Sequence, residues 1–390
     1  MKQTELHNSI SSRARALEAS KIRAIAELGM HDPDVIPLWF GESAWKTSPL
    51  IVDAAIASLK AGNHMYQPNN GAMNLRHAIC TYSKNLLGSH INPTRVTVTP
   101  SGMQGLMLTA ELLVTNGDRV VALEPSWPNI IGAFKVLGGK IASVAITSKG
   151  GRWELDVSEL VAALTPDTKV VVINSPNNPT GWTMSISEQR IVLEHCRRYG
   201  IWIVADDVYA RLYRHGRHAP SFLSIAEPED LLISVNSFSK CWSMTGWRLG
   251  WIVAPAAFEA KLGQLTEFNT SCTAGFVQEA GIAALRDGEN EIISLLEKIQ
   301  IGFELTAEQL STFSRIEFIE PDGAFYCFFR VNGLTDSFAA AGEILKQTKV
   351  GLAPGVAFGP EGEGYLRLCY AQPADVLKEA FQRLQPFLSK

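Results

Sequence analysis

Short, almost continuously apolar runs alternate with stretches of helical spacing from about residue 50 to residue 285. Apolar residues at helical spacing predict helices at 51–60, 74–87 and 104–113. Buried strands are predicted at the following apolar runs: 95–99, 119–123, 169–173, 201–205, 231–235 and 250–253. Helices between such strands indicate an α/β fold with a mostly parallel sheet covered by helices on both faces.

The pattern changes after Arg286 and becomes that of a smaller α+β domain. Helices and strands are predicted there in the following order: a long helix at 290–310, strands at 316–320 and 325–329, a helix near 337–348, a strand at 365–369 and a last helix from 374. We therefore predict an N-terminal segment (1–45) that packs on the small domain, a large α/β domain (46–285) and a small C-terminal domain (286–390).

Composition excludes a disordered chain, because 46 % of the 390 residues are hydrophobic and only 19 % are charged. A formal net charge of -4 offers no general attraction for a phosphate backbone, so we expect no nucleic-acid partner. No window approaches the ~18–20 unbroken apolar residues of a membrane-spanning helix. The first residues lack the apolar core of a signal peptide, so we expect a cytoplasmic protein without a membrane partner.

The six cysteines are scattered singly, without a C-x-x-C pair, which favours neither a disulfide framework nor a zinc site. We expect buried thiols. The histidines also lack metal-ligand spacing, since Glu194, His195 and Cys196 are adjacent on a predicted helix and face different directions. No metal site is therefore predicted.

Five predicted strands end in polar or glycine-rich turns. In chain order these turns read P-S-G-M-Q-G, E-P-S-W-P-N, N-S-P-N-N-P-T-G, D-D-V-Y and N-S-F-S-K. Each alone is ordinary turn chemistry. Ligands of open α/β sheets bind beyond the carboxyl ends of the strands, so the five turns together predict one binding site.

These turns, together with M-T-G-W-R-L-G, resemble the class I/II aminotransferases of fold type I, which depend on pyridoxal phosphate, near the bacterial aspartate aminotransferase-like branch. The resemblance extends from Leu38 to Tyr370. It implies a fold-type I transferase that moves an amino group between an L-amino acid and a 2-oxo acid. A lyase, decarboxylase or oxidase acting on an amino acid with the same cofactor stays open as an alternative.

Two other classes carry less weight. A cofactor-sensing regulator needs an added basic helix-turn-helix segment, and only about 45 residues precede the α/β part. A nicotinamide-dependent dehydrogenase needs a glycine fingerprint, G-x-G-x-x-G, which the sequence lacks.

The resemblance implies that Lys240 is the catalytic lysine, which forms a Schiff base with the cofactor and then moves the proton at the substrate Cα. It places Asp206 at the pyridine nitrogen, Tyr209 and Asn178 as donors to the phenolic oxygen, and Trp127 against the ring face. The family usually has Asp-Glu where this chain has Asp-Asp, a departure that falls on the neighbour of Asp206. Taken singly, Asp206 and Asn178 are ordinary helix-cap and turn residues.

The phosphate is expected at a helix start, with a hydroxyl and a guanidinium as further ligands. The residues matching the family there are Ser101, Gly102, Met103, Ser237 and Arg248. Only the backbone amide of Met103 is counted, since the family often has a polar residue at that position. Tyr66 matches a tyrosine that reaches the phosphate of the neighbouring subunit, which implies a homodimer with a shared active site. A tyrosine buried in a turn is the competing interpretation.

At the substrate side the resemblance implies three residues. Arg367 would bind the α-carboxylate with its bidentate fork, and Gly41 and Asn178 would approach the substrate. The segment at 38–45 departs from the family's common Gly-Glu-Pro-Asp pattern and is rich in aromatic residues. We hypothesise a preference for apolar or aromatic amino acids. The alternative is that these aromatic residues pack between the two domains.

Overall fold

The structure is a computed structural model that describes residues 9–15 and 17–389. Its helices are α1 (Ser12–Arg15), α2 (Lys21–Glu27), α3 (Pro49–Lys60), α4 (Met73–Leu87), α5 (Gly102–Leu113), α6 (Pro128–Val136), α7 (Val157–Ala163), α8 (Ile186–Tyr199), α9 (Glu259–Thr270), α10 (Gly275–Asp287), α11 (Glu289–Ser311), α12 (Ser337–Thr348) and α13 (Ala374–Leu388).

Fourteen strands lie in the described part of the chain. They are β1 (Ile36–Pro37), β2 (Val96–Thr99), β3 (Arg119–Glu124), β4 (Lys140–Lys149), β5 (Arg152–Leu155), β6 (Thr168–Asn174), β7 (Trp202–Asp206), β8 (Leu232–Ser237), β9 (Gly250–Val253), β10 (Ile316–Glu317), β11 (Tyr326–Val331), β12 (Val350–Gly351), β13 (Ala353–Pro354) and β14 (Tyr365–Cys369).

An eight-stranded sheet forms the largest layer, in the order β2-β9-β8-β7-β6-β3-β4-β5. The pairs β3–β4, β3–β6, β6–β7 and β7–β8 are parallel, and the pairs at the two edges are antiparallel. Val170 and Val172 of β6 join one hydrophobic cluster, whereas Val171 and Ile173 join another. Both faces of the sheet are therefore buried, which explains the continuous apolar strands and confirms the predicted α/β fold.

The C-terminal part of the chain forms a second, antiparallel sheet in the order β10-β11-β14-β13. β1 pairs in parallel with β12, so the N-terminal segment lies against the C-terminal part. The division at residues 45 and 285 stays a prediction, and residues 1–8 and 16 of the N-terminal segment lie outside the described residues. The strand predicted at 316–320 is shorter, because only Ile316 and Glu317 pair with β11.

All six cysteines are free. Cys196, Cys241, Cys327 and Cys369 are buried, but Cys80 and Cys272 are half-buried, so the prediction of buried thiols is wrong for these two. Cys272 lies in a loop, where its Sγ accepts a hydrogen bond from the Gln67 amide at 3.3 Å. Among the described residues, no helix has the length and apolar character needed to span a membrane. That part of the chain also contains no cluster of side chains suited to a metal ion.

Candidate active site

A cavity of about 460 Å³ opens where β6, β7 and β8 of the large sheet end and where the second sheet and the N-terminal segment meet them. It brings together most of the residues singled out in the sequence. Those that line it are Gly41, Gly102, Met103, Trp127, Asn178, Asp206, Tyr209, Ser237, Lys240, Arg248 and Arg367. Ser101 and Tyr66 are not among the lining residues.

Lys240 follows β8, and its Nζ donates a hydrogen bond to the Gly41 carbonyl oxygen at 2.6 Å. Burial lowers the pKa of this amine from 10.5 to about 8. The neighbouring cations of Arg367 and Arg248 lower the pKa further, whereas Cys369 and Glu42 raise it. A lysine with a pKa near 8 holds a usable fraction of neutral, nucleophilic amine at neutral pH.

Asp206 ends β7 and is 4 % exposed. Its Oδ1 accepts a hydrogen bond from the Val208 amide at 3.2 Å. Burial raises the pKa of this carboxyl to about 7, with a smaller contribution from Asp207. A cationic ring N–H placed beside it would favour the carboxylate again.

The next residue, Asp207, has a different environment. Its Oδ2 accepts hydrogen bonds from Ser234 Oγ at 2.7 Å and from Ser221 Oγ at 3.3 Å. Asp207 therefore connects the end of β7 to β8 and to the loop between these two strands. Asp207 is the position at which this chain departs from the family's usual Asp-Glu pair, and its hydrogen bonds stabilise the fold beside the cavity.

One end of the cavity, here called the cradle, is lined by Gly102, Ser237 and Arg248, and Gly250 packs behind Gly102. A Cβ on Gly102 would lie 3.1 Å from Ser237 Cβ, and a Cβ on Gly250 would lie 2.6 Å from the Gly102 nitrogen. The glycines thus let the start of α5 pack closely against β8 and β9. Because the first amides of a helix have no partner within the helix, the cradle suits a phosphate group.

Two residues of this end adopt a positive φ although they are not glycine: Ser101 at 108° and Arg248 at 55°. The Ser101 Oγ accepts a hydrogen bond from the Gln104 amide at 3.1 Å and so caps α5. Its hydroxyl is therefore engaged within the helix. The Arg248 guanidinium donates to the Thr245 carbonyl oxygen and borders the cavity. Such strained conformations tend to collect at binding sites.

The other end, here called the clamp, consists of Arg367, Asn178, Trp39 and Tyr326. Arg367 is 2 % exposed, and its Nη1 donates to Asn178 Oδ1 at 2.8 Å while Nη2 donates to the Trp39 carbonyl oxygen. Within the described residues the buried Nε has no partner. The guanidinium also lies over the Tyr326 ring, 4.4 Å from its centroid. A buried arginine held in this way, with an unused donor, suits a carboxylate.

Tyr209 and Tyr326 place their hydroxyl oxygens 2.7 Å apart. Sequence reasoning missed Tyr326, because a tyrosine at the start of an apolar strand carries no signal of function. Arg23 and Glu42 also line the cavity and were also missed. Arg23 is on α2, and its Cζ lies 6.0 Å from the centroid of the Phe40 ring.

The aromatic residues of segment 38–45 separate in the structure. Trp39 is 1 % exposed and packs in the core, where a Cβ on Gly351 would lie 1.9 Å from its ring. Phe40 lines the cavity, and Trp45 lines a second cavity beside Trp247. Only Phe40 therefore supports the hypothesis of a preference for aromatic substrates.

Tyr66 lies at the surface with 88 % of its area exposed. Met65 and Phe268 are also exposed, at 70 % and 90 %. The segment that contains Met65 and Tyr66 lies beside the segment that contains Phe268. Hydrogen bonds from Gln67 to Cys272 and from Asn69 to Ser271 hold these two segments together. The three exposed side chains thus occupy neighbouring segments of the surface, and the interpretation of Tyr66 as a buried turn residue is wrong.

The side chains around the cavity fit pyridoxal phosphate. Four cations (Arg23, Lys240, Arg248 and Arg367) face two carboxylates (Glu42 and Asp206), so an anionic ligand balances the charge. The cradle suits a phosphate, and the buried Asp206 carboxyl suits a ring cation that would offset the effect of burial on its pKa. The Arg367 Nε, which has no partner within the described residues, suits a second anion. Trp127 precedes α6 at the wall of the same cavity, where its ring can cover an aromatic ligand.

Comparison with known proteins matches residues 33–384 of the chain to the family model of aminotransferase class I and II. An aspartate aminotransferase of Pyrococcus horikoshii is 33 % identical over 383 residues, which cover 97 % of both chains. Aromatic-amino-acid aminotransferase 2 of Thermococcus litoralis is 30 % identical over 387 residues and 98 % of both chains. The structure of an alanine aminotransferase from Pyrococcus furiosus has a TM-score of 0.90 at 26 % identity, covering 97 % of this chain and 99 % of that one.

Proposed function

The chain belongs to the class I and II aminotransferases, which depend on pyridoxal phosphate, and from this premise we propose that the cavity between cradle and clamp is its active site. The protein is an aminotransferase that moves an amino group between an L-amino acid and a 2-oxo acid. The observation that carries the assignment of the site is the placement of Lys240, Asp206 and Arg367 around one cavity.

When bound, pyridoxal phosphate supplies an electrophilic aldehyde and an electron-accepting ring. We propose that Gly102, Met103, Ser237 and Arg248 hold its phosphate, with Ser101 contributing as the cap of α5. Asp206 would hold the ring nitrogen and keep it protonated. Tyr209 and Asn178 would donate hydrogen bonds to the phenolic oxygen. Trp127 would cover one face of the ring and exclude water.

Arg367 would bind the substrate α-carboxylate, with Asn178 orienting the guanidinium through its Oδ1. Gly41 keeps its carbonyl oxygen beside the Lys240 amine. A substrate bound in this way would have its Cα between the arginine and the lysine. Among the residues that the structure describes, Lys240 is the one amine at the cavity wall with a lowered pKa, so it would link to the cofactor and later move the proton at the substrate Cα.

A homodimer that shares its active sites is part of the proposal. Tyr66 lies outside the cavity of its own chain and is exposed together with Met65 and Phe268. An aromatic and apolar group of this kind fits a surface covered by a second copy. Tyr66 of one protomer would then reach the phosphate of its partner. Six free thiols, four of them buried, fit a reducing compartment, so we propose a cytoplasmic enzyme.

The Phe40 ring and the Arg23 guanidinium line the cavity side by side, and we propose that they face the substrate side chain. This pair offers an apolar wall and a cation, so we propose that the pocket accepts an apolar or aromatic side chain against Phe40. The relatives named for aspartate and for aromatic amino acids span the same range of side chains.

The test of the reaction type is a half-reaction. The holoenzyme is mixed with single amino acids without a 2-oxo acid, and the absorbance of the cofactor is followed. Lasting conversion to the pyridoxamine form supports transamination. Release of ammonia or CO₂ or consumption of O₂ at the rate of substrate loss would instead support the lyase, decarboxylase or oxidase alternative.

A further inference from the structure

Tyr326 lies between Arg367 and Tyr209, and its ring belongs to the clamp while its hydroxyl has no role in the proposed function. It begins β11, is 0 % exposed and lines the cavity. In the antiparallel pairing of β11 with β14, Tyr326 opposes Cys369 and Phe328 opposes Arg367. Since alternate residues share a face, Tyr326 and Arg367 project to the same side of the sheet. This register explains why the Arg367 guanidinium stacks on the Tyr326 ring.

The Tyr326 hydroxyl has a fixed position. Its oxygen lies 2.7 Å from Tyr209 Oη, and a Cβ on Gly41 would lie 2.0 Å from it. The Gly41 backbone therefore closes the space on the other side of the hydroxyl. The Tyr326 ring also makes an edge contact with the Tyr209 ring, with centroids 5.7 Å apart. The Tyr326 hydroxyl cannot move toward Gly41 without displacing this residue, whose carbonyl oxygen accepts the hydrogen bond from Lys240 Nζ.

The direction of the hydrogen bond between the two phenols decides what Tyr209 can do. Each phenol has one proton, so the one that donates to the other leaves the second free to donate elsewhere. Burial raises the pKa of both hydroxyls, and both therefore stay protonated. The Arg367 cation lowers the pKa of both phenols, but its guanidinium stacks directly on the Tyr326 ring, 4.4 Å from the centroid. Cys369 and Glu42 oppose ionisation of Tyr326, and Asp206 opposes ionisation of Tyr209. The direct stacking of the cation favours Tyr326 as the donor.

We infer that Tyr326 is a positioning residue: its hydroxyl donates to Tyr209 Oη and so leaves the Tyr209 proton directed into the cavity. This inference rests on the proposed function, in which Tyr209 donates to the phenolic oxygen of the cofactor. Tyr326 also connects the substrate and cofactor sides of the site. Its ring packs against the Arg367 guanidinium, and its hydroxyl orients Tyr209.

The test uses the holoenzyme and the variant Tyr326→Phe, which keeps the ring and removes only the hydroxyl. The measurement is the pH midpoint of the change in the visible absorbance of the bound cofactor. A donor to the phenolic oxygen favours the deprotonated form of the cofactor. In Tyr326→Phe the Tyr209 Oη no longer accepts the hydrogen bond that fixes and polarises it, so Tyr209 becomes a weaker donor and the midpoint rises. We expect a rise of about half to one pH unit.

The double variant Tyr209→Phe/Tyr326→Phe distinguishes positioning from an independent effect. If Tyr326 acts through Tyr209, the midpoint of the double variant equals that of Tyr209→Phe alone. Tyr370→Phe is the matched control, since Tyr370 is equally buried and its hydroxyl donates to Ala324 outside the cavity, at 3.4 Å. It should keep the wild-type midpoint. Circular dichroism confirms that each variant is folded.

An unchanged midpoint in Tyr326→Phe, or additive shifts in the double variant, would overturn the inference. Should Tyr326→Phe not fold, Gly41→Ala provides a second route, because its methyl group displaces the Tyr326 hydroxyl and should raise the midpoint as well; an unchanged midpoint there would also overturn the inference. A failure of the proposed function looks different, since the wild-type protein would then hold no cofactor on Lys240.

Discussion

The cradle is built from turns of one sheet, whereas the clamp joins distant parts of the chain. Gly102, Ser237 and Arg248 follow or flank neighbouring strands of the eight-stranded sheet. Arg367 and Tyr326 belong to the second sheet, and the Trp39 carbonyl oxygen that holds Arg367 comes from the N-terminal segment. The cradle is thus fixed by the core of a single layer, while the clamp depends on how the chain ends pack on that layer.

This difference predicts that the cradle and the clamp bind different ligands. Main-chain amides at a helix start bind an anion with little dependence on side chains. A buried arginine held by an amide oxygen and a carbonyl oxygen depends on each of its partners. Changes in the cradle should therefore affect affinity for the cofactor, and changes in the clamp should affect the substrate.

Among changes in the cradle or the clamp, the largest effect is expected for Arg367→Lys. Lysine cannot reproduce the planar fork or the contacts with Asn178 and Trp39, so kcat/KM for the amino acid should fall about 100- to 1,000-fold. Affinity for pyridoxal phosphate should stay within a few-fold of wild type. The control is Arg330→Lys, an exposed arginine on β11 outside the cavity. Equal losses of cofactor and substrate binding in Arg367→Lys would remove the distinction between cradle and clamp.

A smaller effect is expected for Arg248→Met. Loss of one charged donor should weaken binding of pyridoxal phosphate to the apoenzyme about 10- to 100-fold, measured by fluorescence titration. The KM for the amino acid should not change once the cofactor is saturating. Arg197→Met, which breaks an ion pair with Asp230 on the outside of the fold, serves as the control. A raised KM at saturating cofactor would contradict the assignment of Arg248 to the cradle.

Charged residues at both ends of the cavity affect the pKa of Lys240. We expect them to change the reactivity of this amine a few-fold. Burial lowers its pKa to about 8, with smaller contributions from Cys369 and Glu42, which raise the pKa, and from Arg367 and Arg248, which lower it. Below this pH the amine is mostly protonated and unreactive, and above it the neutral amine prevails. In the apoenzyme, reductive methylation of Lys240 should therefore rise with a midpoint near pH 8.

Two comparisons check this midpoint by mass spectrometry. Glu42→Gln removes an anion, so the midpoint should fall by a fraction of a pH unit and methylation near neutral pH should rise a few-fold. Lys349, whose pKa an ion pair with Asp32 raises, should react only at higher pH in the same sample. A rise in the Lys240 midpoint in Glu42→Gln would contradict the electrostatic description of the cavity.

The smallest effect is expected for Phe40→Leu. A smaller apolar side chain at the same wall should reduce kcat/KM for phenylalanine about two- to ten-fold and leave alanine nearly unchanged. Wild-type half-reactions on a panel of amino acids provide the reference. A strong preference of the wild-type enzyme for aspartate over phenylalanine and leucine would reject the apolar preference and favour Arg23 as the side-chain contact.

The same contrast explains how much the sequence could predict. The strands of the large sheet and the turns around Gly102, Asp206 and Lys240 are local signals, because buried strands are apolar and strand ends in α/β sheets share one edge. Tyr326 and Arg23 could not be found in this way. Their position in the cavity follows from the pairing of β1 with β12 and of β11 with β14, which no local pattern specifies. The sequence also left open whether Trp39 lines the site or packs inside the protein, and only the fold shows that it packs on Gly351.

Locating the cofactor on the chain tests most directly whether this cavity is the active site. The holoenzyme is reduced with borohydride, digested and analysed by mass spectrometry. We predict that the mass of the reduced cofactor lies on the peptide that contains Lys240, and that Lys240→Ala loses both this mass and transaminase activity while Lys46→Ala keeps both. Cofactor on another lysine, or a Lys240→Ala variant that still retains it covalently, would contradict the assignment of this cavity as the active site.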